Sequence, residues 1–168
     1  MGKFRIMLGT GLALSLALPA AAQEILGADA GACSPRSPVP GALVHVHGFK
    51  DRAGNLRIQL YSNVPADFLV SGRKLHRIEM PVTAADAMNV CVALPAPGSY
   101  ALAVLHDRDG DHRLSIWHDG VGFSNNPRIG FGKPDLKEVL FESHGGTTLV
   151  DVVLNYRSGW SIRPLAGG

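Results

Sequence analysis

Long hydrophobic segments are scarce in this chain of 168 residues, and cysteine occurs only twice. After the first 22 residues no apolar run approaches the roughly 20 residues that a membrane-spanning helix needs. No stretch has the spacing of a long amphipathic helix, and no repeat, P-loop or Rossmann glycine pattern occurs. The GxSxG motif of nucleophilic hydrolases is also missing, because Asn126 stands where Gly122-Phe123-Ser124 would need a second glycine. These absences exclude helical bundles and nucleotide-binding loops.

The N-terminus has the three parts of a secretory signal peptide. Lys3 and Arg5 precede an apolar run from residue 6 to residue 18, and the small residues PAAA end at Ala22. We therefore predict a signal peptide at residues 1–22 and a periplasmic or secreted mature protein without a membrane span. Cleavage reduces the 16 basic residues to 14, against 14 acidic ones. Because the net charge is then near zero and the basic residues are scattered, no nucleic-acid partner is predicted.

The two cysteines, Cys33 and Cys91, are predicted to form one disulfide in an oxidising compartment. The bond would close a loop of 58 residues (91 − 33) and contribute roughly 4 kcal/mol through loop-closure entropy. Two free thiols acting as metal ligands are the alternative, but the sequence has no CxxC spacing to favour it.

Apolar and polar residues alternate along much of the mature chain. The runs ALVHVHGF (42–49) and LRIQLYS (56–62) flank the turn DRAGN, and together they predict a β-hairpin with one buried face. About seven short strands and no long helix predict an all-β fold, an antiparallel β-sandwich. The predicted organisation is a signal peptide at 1–22, an extended lead-in at 23–40, the sandwich at 41–157 and a tail at 158–168.

Residues 106–126, HDRDGDHRLSIWHDGVGFSNN, contain the candidate metal site. Three aspartates alternate around Gly110, and their carboxylates would repel one another without a cation between them. Calcium takes six to eight oxygen ligands, and a compact loop can supply them from alternate positions. The predicted ligands of a structural calcium ion are Asp107, Asp109, Asp111, the carbonyl of Arg113, Ser115 and, one residue beyond the usual last position, Asp119.

The front of this loop matches the EF-hand pattern, and the back does not. His112 stands at the sixth position in place of glycine, and His118 stands at the twelfth in place of glutamate. We therefore expect weak binding, with a Kd of about 10⁻⁴ to 10⁻³ M. The alternative is a solvated Asp/Gly turn that holds no ion.

Two histidines, His45 and His47, are two residues apart on a predicted strand and therefore share one face. Two imidazoles so placed can bind zinc or copper. The simpler interpretation is the solvent face of a strand, because no third ligand stands at a fixed spacing.

The order of several segments resembles an exported bacterial family, the domain of unknown function 2141. The segments are SYALAVLHDRDGD, GVGFSNN, FGKPDLKEVLFE and TTLVDVVLNY, preceded by the hairpin run. The resemblance spans about residues 41–156 and implies a Greek-key β-sandwich of the transthyretin-like (prealbumin-like) or carboxypeptidase-regulatory-like type, with no established activity. The motif positions carried over are His106, Asp107, Asp109, Asp111, Gly122, Phe123, Ser124 and Asn125.

Three functions are compatible with this sequence. The first is a non-enzymatic binding module, in which calcium orders a surface that contains the GFSNN run and binds a protein or carbohydrate of the cell envelope. The second is a metal-dependent hydrolase that uses His106, Asp107 and Asp109, and the third is a structural envelope protein. A hydrolase needs a deep pocket with an open metal position. A binding module needs an exposed apolar patch, expected here near Trp117, Phe123 and Phe131.

Overall fold

The computed structural model describes residues 24–165, and within this range the chain forms eleven β-strands, one α-helical turn and one 3-10 turn. The strands are β1 (Ile25–Leu26), β2 (Gly41–His47), β3 (Asn55–Ser62), β4 (His76–Pro81), β5 (Met88–Ala93), β6 (Gly98–Asp107), β7 (Gly120–Phe123), β8 (Leu140–Ser143), β9 (Thr147–Val153), β10 (Asn155–Ser158) and β11 (Ser161–Pro164). The helical turn α1 (Leu136–Val139) is capped by Asp135, whose carboxylate accepts the backbone N–H of Lys137. The predicted signal peptide lies outside the described residues. None of the helices described is long and apolar enough to cross a membrane.

The strands form two sheets. Sheet A has the order β1-β5-β2-β9, and sheet B has the order β11-β10-β7-β6-β3-β4, with β8 pairing to β6 beyond the end of β7. The predicted all-β sandwich is confirmed. One difference concerns strand direction, because β1 runs parallel to β5 and β2 runs parallel to β9. Parallel neighbours need a long crossover connection, and for β2 and β9 the strands of sheet B provide it.

The predicted hairpin between residues 42–49 and 56–62 is wrong. β2 pairs with β5 and β9 in sheet A, whereas β3 pairs with β4 and β6 in sheet B. Both strands have one apolar face, but these faces meet across the sandwich and do not lie side by side. Alternation fixes which face of a strand is buried, and it does not identify the neighbouring strand.

The main core lies between the sheets. Val44 and Val46 of sheet A meet Ile58 and Leu60 of sheet B, and each of these four side chains is at most 1% exposed. A smaller apolar cluster covers part of the outer face of sheet B, and its members are Tyr61, Phe68, Ala101, Ala103, Phe123, Leu136 and Val139. β3 and β6 are therefore partly buried on both faces.

The C-terminal residues add strands to both sheets. The run TTLVDVVLNY is not one long strand, because the chain leaves sheet A after Val153 and enters sheet B at Asn155. Residues 161–164, in the predicted tail, form β11 at the edge of sheet B.

The disulfide between Cys33 and Cys91 is present and joins the 3-10 turn of the lead-in to the middle of β5, with the two Cα atoms 5.9 Å apart. Both cysteines are buried, and neither is free. The lead-in is thereby attached to sheet A, where β1 also pairs with β5.

Candidate functional site

The acidic loop connects β6 to β7, and a buried carboxylate fixes its first turn. Asp107 is the last residue of β6 and is fully buried. Its Oδ1 accepts the backbone N–H of Gly110 at 3.0 Å, and its Oδ2 accepts the backbone N–H of His112 at 3.0 Å. His112 has a φ of 62°, so it adopts the left-handed conformation that the glycine of an EF-hand supplies at the same position.

A second buried carboxylate fixes the other end of the loop. Asp119, directly before β7, is 3% exposed. Its Oδ1 accepts the backbone N–H of Arg108 at 3.0 Å, and its Oδ2 accepts the backbone N–H of Ser115 at 2.8 Å. The two carboxylates therefore hold the loop closed by accepting main-chain hydrogen bonds from its turns.

Three of the predicted ligands come together. Asp107, Asp109 and Asp119 each place one carboxylate oxygen within 4.8 Å of the others. Each oxygen has two lone pairs, so one that accepts a main-chain N–H can still bind a cation. The donor set is all oxygen, which suits calcium.

Two of the other predicted ligands, Asp111 and Ser115, accept hydrogen bonds within the loop. Asp111 lies outside the group, and its carboxylate accepts the backbone N–H of Arg113 at 2.7 Å. The carbonyl of Ser115 accepts the backbone N–H groups of His118 and Asp119. The residue that sequence reasoning proposed as a late substitute, Asp119, is thus better placed than Asp111.

Arg57 is a neighbour of the acidic loop that sequence reasoning missed. Its guanidinium group, on β3 and nearly buried, lies 3.5 Å from Asp107 and makes two hydrogen bonds with the carboxylate of Glu79 on β4. These bonds lower the pKa of Glu79 below its ordinary value, against the opposing effect of burial. Arg57 and Glu79 face each other in the β3–β4 register, which no local signal in the sequence reveals.

His106, one of the residues named in the hydrolase hypothesis, has no exposed surface. Its Nδ1 lies 2.7 Å from the Tyr156 hydroxyl, and its Nε2 lies 2.8 Å from the carbonyl oxygen of Ala53. Burial lowers its pKa, although the hydrogen bond to Ala53 acts in the opposite direction. The imidazole is therefore held between two protein groups, away from the acidic loop's surface.

The GFSNN run was expected to form a surface, but the structure places most of it inside the molecule. Gly122, Phe123 and Ser124 are buried. The Ser124 hydroxyl accepts the N–H of Leu102 and donates to the carbonyl of Val139, and the Asn125 amide donates to the carbonyl of Leu140. These polar groups join β6 and β7 to the segment around α1, so the run stabilises the fold, and only Asn125 and Asn126 at its end are exposed.

The outer face of sheet B contains an apolar groove beside the acidic loop. Two adjoining depressions, of about 240 Å³ and 170 Å³, form it and share four lining residues, namely Leu69, Leu114, Val121 and Phe123. The first is also lined by Arg57, Gln59 and Tyr61, and the second by Ile116 and Phe131. We call the combined feature the sheet B groove.

Large apolar side chains at the rim of this groove are exposed to solvent. Leu114 is 57% exposed and Phe131 is 61% exposed, while Trp117, on the same loop as Leu114, is 68% exposed. The Arg157 guanidinium lies over the Trp117 ring, 3.2 Å from its centroid. Leu114 and Phe131 are thus exposed apolar residues of the groove, whereas Phe123 lines it and is buried.

Two further groups of potential ligands occur in the described residues. Glu79, Asp107 and His112 surround Arg57, and on sheet A the strand neighbours His45, His47 and Asp151 come together. The sequence offered no third ligand for the two histidines, because Asp151 is more than a hundred residues away and reaches them through the β2–β9 pairing.

Comparison with known proteins identifies a family. The family model described as an uncharacterized protein conserved in bacteria (DUF2141) matches residues 44–151. No curated protein and no solved structure matches the chain significantly.

Proposed function

The chain belongs to the uncharacterised bacterial family of domain of unknown function 2141, and on that premise we propose that it is a non-enzymatic binding module of the cell envelope. Its partner occupies the sheet B groove, and a calcium ion in the acidic loop orders one wall of that groove. The partner is an envelope protein or carbohydrate.

The exposed apolar rim of the groove carries this proposal. Soluble monomers rarely expose large contiguous apolar patches, and such patches commonly mark binding sites. Leu114 and Phe131 both line the groove, and both are more than half exposed. Covering them with a partner would remove apolar surface from water, which contributes roughly 25 cal/mol of favourable free energy for each Å² buried.

Backbone strain at the same place supports the proposal. Leu69 lines both halves of the groove and has a φ of 60°. A non-glycine residue in the left-handed region costs roughly 1–2 kcal/mol. Such strain persists where the surrounding structure enforces it, and it is concentrated at functional sites.

The acidic loop connects calcium to the groove. Asp107, Asp109 and Asp119 would hold the ion, and its charge would offset the repulsion among their carboxylates. Leu114 and Ile116 lie on the same loop and line the groove. An ion that fixes the loop between Asp107 and Asp119 would therefore fix these two apolar side chains.

Two observations support the assignment to the cell envelope. The N-terminal residues have the signal-peptide pattern, and the Cys33–Cys91 disulfide is typical of proteins that fold in an oxidising compartment. The test is fractionation of bacteria expressing the full chain. Recovery of the processed protein in the periplasm or medium supports export, and recovery of the unprocessed chain in the cytoplasm contradicts it.

The calcium claim is tested by thermal unfolding of the chelator-treated mature protein. At a calcium concentration of about one hundred times the Kd, the free energy of unfolding should rise by roughly 2.7 kcal/mol. The Asp109→Ala variant should lose this increase. Asp109 is exposed and makes one hydrogen bond, to the N–H of Asp111, so the calcium-free stability should change little.

Asp86→Ala is the matched control, because the Asp86 side chain is fully exposed and lies in another loop. It should keep the full response to calcium. Equal responses in the wild type and in Asp109→Ala would show that calcium acts elsewhere, and no response in either would contradict the calcium claim.

The groove is tested separately by site-specific photocrosslinking in cells that secrete the protein. A photoreactive residue at Leu114 should give a discrete crosslinked product, and one at Leu149, which is 77% exposed on sheet A, should not. Protease or glycosidase digestion of the product then distinguishes a protein partner from a carbohydrate. Equal products from both positions, or none from Leu114, would contradict the proposal whatever the calcium result.

A further inference from the structure

The outer face of sheet A brings together two imidazoles and a carboxylate. His45 and His47 lie on β2 with their rings 5.3 Å apart, and Asp151 lies opposite His45 on the neighbouring strand β9. One ligand atom from each residue lies within 4.8 Å of the other two. We propose that His45, His47 and Asp151 form a binding site for a divalent transition metal ion such as zinc.

The spacing of the donor atoms fits one shared ion. The Nε2 atom of His47 lies 3.3 Å from each carboxylate oxygen of Asp151. Two ligands at about 2.0–2.1 Å from a tetrahedral zinc ion are roughly 3.3–3.4 Å apart. Neither strand needs to shift for these two side chains to bind the same ion.

The side-chain amide of Asn89 orients His45 for metal binding. Its Nδ1 lies 2.7 Å from the Oδ1 of Asn89, on the other neighbouring strand β5. An amide oxygen only accepts hydrogen bonds, so the ring carries its proton on Nδ1 and leaves the lone pair of Nε2 free. A metal-binding histidine normally donates its second ring N–H in this way, which fixes both tautomer and orientation.

A second amide orients the carboxylate. The side-chain nitrogen of Asn126 lies 3.3 Å from Asp151 Oδ2 and 3.2 Å from the Asp151 carbonyl oxygen. The amide oxygen of Asn126 accepts the N–H of Val153 at 2.8 Å, so the side chain is itself held in place. The last residue of the GFSNN run therefore supports the proposed site on the other sheet.

The ligand chemistry differs from that of the acidic loop. Two imidazoles and one carboxylate suit zinc, copper(II) and neighbouring ions, whereas calcium prefers oxygen ligands throughout. The His47 side chain is 28% exposed and that of Asp151 is 56% exposed, so a fourth coordination position would face solvent. The site stands independently of the proposed binding function.

The proposal is tested by isothermal titration of zinc chloride into the chelator-treated mature protein, with calcium present in excess. One zinc ion should bind per chain in the wild type. His47→Gln and Asp151→Asn keep the size of each side chain and should weaken zinc binding by roughly 100-fold or more, and Asn89→Ala by about 10- to 100-fold. Unchanged circular dichroism and metal-free melting temperatures establish that the variants are folded.

Two further variants locate the binding. His144→Gln removes an exposed imidazole from the turn after β8 and should not change zinc affinity. His112→Gln tests the competing group around Arg57. Loss of zinc binding in His112→Gln with retention in His47→Gln would overturn the proposal, and so would the absence of zinc binding or equal affinity in all variants.

Copper(II) provides a readout that a purely structural role would not change. The electron paramagnetic resonance spectrum of the copper complex should show hyperfine coupling to two imidazole nitrogens, and His47→Gln should reduce this to one. A spectrum that His47→Gln leaves unaltered would contradict the assignment.

Discussion

His106 and Tyr156 meet across Gly120 in the interior of sheet B, with the imidazole Nδ1 2.7 Å from the phenol oxygen. A Cβ atom at Gly120 would lie 2.4 Å from the Tyr156 ring, so only glycine lets the two side chains approach. Since the carbonyl of Ala53 can only accept, Nε2 of His106 carries the proton, and Nδ1 accepts the Tyr156 O–H. The Tyr156 oxygen in turn accepts the backbone N–H of Lys50, which connects three segments of chain.

Replacing Tyr156 with phenylalanine should destabilise the fold by roughly 1–3 kcal/mol, because two polar partners lose a buried hydrogen bond. Denaturant unfolding measures the change. Tyr100→Phe is the matched control, since the Tyr100 hydroxyl donates to the carbonyl of Ala96, an exposed residue whose carbonyl water can reach. Equal losses in the two variants would contradict the importance of the buried pair.

The pH dependence of folding stability at alkaline pH gives a second prediction. Burial raises the pKa of Tyr156 to about 12, whereas the unfolded chain ionises near 10. The unfolded state therefore releases its proton first, and stability should fall by up to about 1.4 kcal/mol per pH unit between pH 10 and 12. Tyr156→Phe should have a shallower profile in this range, which thermal unfolding at several pH values would measure.

The change in folding stability at acid pH depends on His106. Burial lowers the pKa of this imidazole below its ordinary 6.5, so the unfolded state binds a proton that the folded state does not. Stability should therefore be greatest above pH 6.5 and decrease as the pH falls below it. The lowered pKa of Glu79 produces a separate loss only below about pH 4.5. An imidazole NMR titration of His106 with a midpoint at or above 6.5 would contradict this account.

Strand positions were predictable from local pattern, whereas strand partners were not. The alternating runs at 42–49 and 56–62 predict strands and do form β2 and β3, because alternation and turn residues are local signals. β2 pairs with β9, whose residues are about a hundred positions away in the sequence. The predicted hairpin between β2 and β3 was wrong for the same reason, because local alternation does not identify the partner strand. Gly48, with a φ of 76°, lies where the chain leaves sheet A for sheet B.

The residues of the candidate sites likewise include some that local spacing predicts and others that only strand pairing brings into place. Asp107, Asp109 and Asp119 fall within thirteen residues of one another, so their spacing alone predicted a common loop. Arg57 reaches that loop from β3, and Asp151 reaches His45 and His47 from β9, in both cases through strand register. Groove residues such as Leu69 carry no local signature at all, because their shared surface exists only after the sheets pack.

Gly54 is predicted to be irreplaceable. Its φ is 69°, and a Cβ atom there would lie 1.9 Å from the backbone oxygen of Asp107, at the start of the acidic loop. Gly54→Ala should cost roughly 3 kcal/mol or more, combining strain with a backbone clash. Gly72 has a similar φ of 78° but open space around it, so Gly72→Ala should cost only about 1 kcal/mol. Denaturant unfolding compares the two, and similar losses would mean that the close approach to Asp107 is unimportant.

Arg57 should oppose calcium binding while stabilising the calcium-free protein. Its guanidinium group neutralises Asp107 and Glu79, so Arg57→Gln leaves two carboxylates without their cation and should cost roughly 3 kcal/mol or more in the absence of calcium. The same change removes a positive charge 3.5 Å from a predicted ligand, which should increase calcium affinity. Calcium should therefore stabilise Arg57→Gln more than it stabilises the wild type.

Arg73→Gln, which removes an exposed arginine paired with Asp67, is the control and should behave as the wild type. If Arg57→Gln were destabilised but gained no more from calcium than the wild type, Asp107 would belong to a salt bridge of the fold and not to a calcium site.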